Sequence, residues 1–264
     1  MKKYLLLPLM LAISACVPAS HPGVVTRAAM EPASTSSLPA MKRFTVHQSL
    51  PAPRSNNDLS LDFIELSFRM ESGKELPVFT RFEGPVTVRV IGAPPPTLGP
   101  DLTALLNRLR QEARIDISPT SGPNANITVE AVSRRTISKV LPQAACFVAP
   151  NVSSLDEYKK VRRTAQTNWS LLKTRSRVSI FIPNDASPQE VRDCLHEELA
   201  QALGPLNDLY RLPDSVFNDD NVHTVLTGFD MMILRAYYDP ALRSGMTRGQ
   251  GANALPGILA RTNP

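Results

Sequence analysis

The stretch from Ser187 to Gly204, SPQEVRDCLHEELAQALG, carries its own start and stop signals and constrains the fold more than any other part of the chain. The Ser187 hydroxyl can accept from an orphan backbone N–H, Pro188 suits the first helical position, and Glu190 stands where a capping-box carboxylate belongs. Gly204 reads as a left-handed stop, and Pro205 prevents continuation. Leu195, Leu199, Ala202 and Leu203 make this a helix that must pack against other elements. Among them sit His196, Glu197, Glu198 and Gln201. Polar groups at such positions cost free energy unless partners satisfy them, so this helix is also where a site is expected.

Arg177 to Ile182 reads as a buried strand, feeding the helix through Pro183-Asn184-Asp185. Upstream, Pro77 to Arg81 and Val86 to Ile91 alternate as strands, with Val86, Val88 and Val90 on one face, and Asn126 to Val132 is a further strand. Pro100 to Ala113 is a helix with the stripe Leu102, Leu105, Leu106 and Leu109. Asp62 to Phe68 fits a short helix or a short strand. Ser154 with Glu157 opens a helix expected to reach Leu172, with Trp169 in the core or at its rim. Thr227 with Asp230 opens another, which Asp239-Pro240 ends near Tyr238. This order predicts an α+β domain with helices packed on one twisted sheet.

Residues 1–15 read as a lipoprotein signal peptide: Lys2 and Lys3 precede a short apolar run, Tyr4 to Ile13. Ile13-Ser14-Ala15-Cys16 resembles the bacterial lipobox. Cleavage before Cys16 would leave it carrying acyl chains that hold the protein on a membrane; ordinary cleavage near Ala19, or an uncleaved anchor, is the alternative. Residues 16–60, rich in Pro, Ser and Ala, read as a flexible tether, residues 61–240 as one domain, and residues 241–264 as a weakly structured tail. Loss of Lys2 and Lys3 lowers the formal charge from +5 to +3, too mild to argue for nucleic acid. The run Lys159-Lys160-Val161-Arg162-Arg163 is expected to be a solvated helix face, with lipid or cell-wall contact the minority reading. After Cys16 only Cys146 and Cys194 remain. In an oxidising envelope compartment they read as a disulfide, with two buried thiols as the alternative. The expected location is the cell envelope, facing the periplasm. Val17 after the cysteine favours the outer membrane.

A zinc-protease helix carries His-Glu-x-x-His, with two imidazoles one turn apart. From His196, the residue four later is Ala200, which binds no metal. Shifted by one, Glu197 takes the first ligand position, Glu198 the general-base position and Gln201 the second ligand position. Asn207 or Asp208 then falls where metzincins place a third ligand. Ser215 to Asp220, with Asn218, Asp219 and Asp220, followed by the helix from Thr227 to Tyr238, resembles the metzincin turn and C-terminal helix. The resemblance implies a zincin-like core with a twisted sheet, a motif helix and a C-terminal helix. The run from Cys194 to Gly204, with Asn207-Asp208 and Phe217 to Asp220, also resembles a family of proteobacterial envelope lipoproteins known only as a domain of unknown function (number 2927). That resemblance names no activity.

The chemistry leaves two function classes open. Every ligand in the shifted register is an oxygen, which suits Ca²⁺ or Mn²⁺ better than zinc. Keeping His196 as a ligand demands distant partners, of which His223 is the nearest downstream histidine. A divalent metal is therefore a candidate cofactor, with zinc not assured. Without a strong Lewis acid, nothing brings bound water toward a neutral pKa. The favoured reading is a non-catalytic binding or scaffold module of the envelope, with envelope protein or peptidoglycan as partner. The alternative is a metal-dependent peptidase or amidase with Glu198 as base. Asp219 and Asp220 read as turn residues bonding their own backbone before they read as cation ligands.

Overall fold

The computed structural model describes residues 54–218 and 223–263 and the backbone of Val25–Ala28. The expected signal peptide, the lipidation site Cys16, and Asp219 and Asp220 lie outside the described residues.

The elements run β1 (Val25–Ala28), α1 (Asn56–Phe68), β2 (Val86–Gly92), α2 (Leu98–Gln111), β3 (Ile117–Pro119), β4 (Ile127–Val132), α3 (Arg134–Val140), β5 (Ala144–Pro150), α4 (Leu155–Val161), β6 (Val178–Pro183), α5 (Pro188–Leu203), α6 (Gly228–Tyr237) and α7 (Arg248–Thr262). The strands form one mixed sheet in the order β1-β5-β6-β4-β2-β3. β3, β2, β4 and β6 are parallel, whereas β5 runs antiparallel to β6 and β1 antiparallel to β5. Four residues of the expected tether thus add an edge strand.

β5 and β6 alternate between two cores. Cys146, Val148, Ile180 and Ile182 face the larger one, shared with α1, α2, α5, α6 and α7. Phe147, Ala149 and Phe181 face a smaller one beneath α3 and α4. There the Phe147 and Phe181 ring centroids stand 4.6 Å apart, with Tyr158 5.1 Å from Phe147. Helices therefore cover both faces of the central strands, which is why β6 is apolar almost throughout.

α5 begins as its caps dictate. Ser187 accepts from the Glu190 N–H, and the Glu190 carboxylate accepts from the Ser187 N–H. Cys194 on this helix is bonded to Cys146 on β5, with Cα atoms 5.9 Å apart. Gly204 does not end the helix in the left-handed region, because its φ is −163°. Its lack of a side chain matters for packing: a Cβ there would sit 3.0 Å from the Tyr237 ring. The last carbonyls of α5 go to Arg175. Its guanidinium donates to Gln201 O, Ala202 O and Gly204 O at 2.5–2.7 Å and stacks on Trp169. A buried cation at a helix C-terminus complements the helix dipole.

Three further expectations change, and one open choice is settled. Asp62 to Phe68 belongs to α1, capped by Ser55 accepting from the Asp58 N–H. Pro77 to Arg81 is not a strand. Loops pin it instead, with the Phe79 N–H donating to Met246 O and the Gly245 N–H to Phe79 O. The helix opened by Ser154 stops at Val161, and two 3-10 turns follow, because Thr164 and Asn168 cap fresh turns by accepting from Gln166 N and Ser170 N. Residues 248–262 of the expected tail form α7, packed on α1 through buried Leu255, Ile258 and Leu259. Among the described residues no helix is long and apolar enough to cross a membrane.

Candidate functional site

α5 directs its polar residues inward. His196 is 5% exposed, and Glu198 and Gln201 are fully buried. The imidazole is used by the backbone: His196 Nδ1 accepts from the Leu226 N–H at 3.1 Å. The neutral ring therefore carries its proton on Nε2. Burial, reinforced by the Arg108 and Arg192 charges, pushes its pKa down from 6.5 to about 3. Arg108 takes the carbonyl of the same residue, donating to Leu226 O at 2.8 Å. His196 thus fixes the entry to α6 through Nδ1.

Glu197 faces elsewhere. Its carboxylate joins those of Glu71 and Asp208, with ligand oxygens all within 4.8 Å of one another. Gln201, one turn on from Glu197, donates from Nε2 to Glu71 Oε1 at 2.8 Å. The other side of this amide, Gln201 Oε1, is buried and accepts no hydrogen bond. Glu198 lies outside the trio, within the protein interior.

Backbone bonds explain how residues so far apart meet. Past Gly204 the chain doubles against the end of α1. The Leu206 N–H donates to Leu66 O and the Glu71 N–H to Leu206 O, both at 3.0 Å. Asn207 is drawn to the same helix, Nδ2 donating to Glu65 O at 3.1 Å. Asp208, the next residue, is left beside Glu71. Of the ligands expected from sequence, the fold brings Glu197 and Asp208 together beside Glu71, to which Gln201 donates, while His196 bonds the Leu226 backbone.

Glu71 was missed, and no local signal marks it: it is one glutamate in the loop Met70-Glu71-Ser72-Gly73. Arg175 was missed for the same reason.

The loop between α5 and α6 is fastened by side chains. Asn218 Nδ2 donates to Leu212 O at 2.8 Å, which gives Asn218 a turn-holding role. Asp230 accepts from the Ser215 hydroxyl at 2.5 Å and from the Val216 and Thr227 N–H groups. Burial pushes its carboxyl up to about 6 against these bonds, which pull it down. The two tyrosines closing α6 also bond backbone, Tyr237 to Thr80 O and Tyr238 to Leu203 O.

A catalytic zinc site takes three protein ligands, usually imidazoles, and an open position. Three carboxylates and an amide do not fit it, and His196 is engaged elsewhere.

Fold and site together define a mixed α/β domain, with helices on both faces of one mixed sheet and a central helix whose acidic face is turned into the protein. The chain belongs to the family described as Protein of unknown function (DUF2927), which it matches over residues 56–257. That span begins with the first residue of α1 and ends inside α7. No curated protein and no solved structure matches the chain.

Proposed function

We propose that this chain is a lipid-anchored envelope protein facing the periplasm, and that its domain is a zincin-like, non-catalytic binding or scaffold module. The observation that carries the reading is the inward orientation of the motif helix. A hydrolase must bring its base to a solvent-borne substrate, within hydrogen-bond reach of the water it activates. Glu198 is instead fully enclosed, and the neighbouring imidazole is spent on a backbone N–H. The run from β6 through the motif helix α5 and the loop to the capped helix α6 supports descent from a zincin-like core. The lipobox at Cys16 and the Cys146–Cys194 disulfide support an oxidising compartment outside the inner membrane.

Glu198→Gln tests the absence of catalysis. The variant should complement a deletion strain fully while keeping the wild-type fold. A folded variant that fails to complement would restore the peptidase or amidase reading with Glu198 as base. Cys16→Ala tests the anchor: it should move the protein from the membrane to the soluble fraction, and unchanged fractionation would remove acylation from the proposal.

A further inference from the structure

We propose that Glu71, Glu197 and Asp208, together with the Gln201 amide oxygen, form a binding site for a hard divalent cation of the calcium type. Three carboxylates meet there from the loop after α1, from α5, and from the loop after α5. Oxygens on opposite sides of a calcium ion stand about 4.6–5.2 Å apart, given Ca–O bonds of about 2.3–2.6 Å. The trio's oxygens lie within 4.8 Å of one another, close enough for one ion to bridge them with small side-chain adjustments.

An acidic cluster alone would not establish a site. The second observation is Gln201. Its side chain is fully buried, its amide lies against Glu71, and Oε1 accepts no hydrogen bond. A buried amide oxygen left unsatisfied costs about 1–3 kcal/mol; turning the amide over, so that Oε1 rather than Nε2 faces Glu71, gives a cation a fourth oxygen and Oε1 its partner. Amide and carboxylate oxygens are the ligands calcium prefers, and the set offers no nitrogen or sulfur to favour zinc. Glu71 and Asp208 are half-buried, so an ion can enter from solvent and keep water in its remaining positions. The ion would tie the end of α1, α5 and the Leu206–Asp208 segment into one unit. This site stands or falls independently of whether the module is catalytic.

The test uses the full mature chain in detergent, stripped with chelator and titrated with CaCl2, with MgCl2 and ZnCl2 in parallel, by calorimetry and thermal melting. Calcium should bind one ion per chain and raise the Tm. Glu71→Gln and Asp208→Asn should each weaken calcium binding by more than about tenfold without altering the far-UV spectrum. Gln201→Leu should weaken it too. Because the two carboxylate variants lie on different loops, either decides the matter if the other misfolds. Absence of a calcium-dependent Tm shift at millimolar CaCl2, binding unaltered in the folded variants, or zinc binding that calcium does not compete with would each overturn the site.

Discussion

His196 is buried, and its imidazole serves the backbone by accepting from the Leu226 N–H. The imidazole is kept neutral by burial and by Arg108 and Arg192, with its pKa lowered to about 3, so it couples stability to pH. Below the ordinary histidine value of 6.5 the unfolded chain takes up a proton that the folded chain refuses. Stability is therefore fully present above pH 6.5 and lost as pH falls, by about 1.4 kcal/mol per unit. Asp230 acts in the opposite sense. With its pKa raised to about 6, it contributes stability at acid pH that is lost as pH rises through 6. Urea unfolding of wild type and His196→Gln between pH 7.5 and 4.5 separates the two, since only the histidine contribution differs. The variant should lose less stability on acidification. Parallel pH slopes would mean that the imidazole titrates normally in the fold.

At the scale of elements, α5 is held from three directions. The capping box fixes its start, Arg175 collects its last carbonyls, and the disulfide joins its middle to β5. The cysteines are separated by 48 residues, and the chain-entropy model assigns a loop of that length about 4 kcal/mol. Reduction, or the double substitution Cys146→Ala with Cys194→Ala, should lower unfolding stability by roughly that amount and leave the sheet intact. Denaturant melts with and without reductant measure it. A difference below about 1 kcal/mol would mean that packing in the large core already holds α5 on β5, since engineered bridges often deliver less than the model predicts.

For the whole molecule, the unexpected element is α7. It contains Gly249, Gly251, Gly257 and Pro256, all unfavourable inside a helix. It forms because Leu255, Ile258 and Leu259 are buried in the main core, and because Gly251 lets it close on Phe68, where a Cβ would meet the ring at 3.3 Å. Asn263 then donates to Arg54 O, bringing the end of the described chain back to the start of α1. Leu259→Ala should cost about 2–5 kcal/mol, read from the urea midpoint. A shift no larger than that of an exposed-residue control such as Leu171→Ala would show the segment to be dispensable.

Local signals in the sequence determined the helix starts at Ser187 and Thr227, the strand feeding α5, and the mixture of helices with a single sheet. Each rests on residues within one or two turns of one another, whose caps and periodicities act wherever the chain goes. The pairing of Cys146 with Cys194 was also legible, because only two cysteines follow Cys16. Tertiary structure decided the rest. It chose helix for Asp62 to Phe68, ended α4 at Val161, and recruited the glycine-rich tail into the core. It gave Leu226 the imidazole of His196, set Asp208 beside Glu197, and brought in Glu71 from a loop 126 positions earlier in the numbering. Spacing along a chain says which side chains share a helix face. Which groups arrive opposite that face depends on how separate elements bury their apolar surface, and that is settled only when the whole core packs.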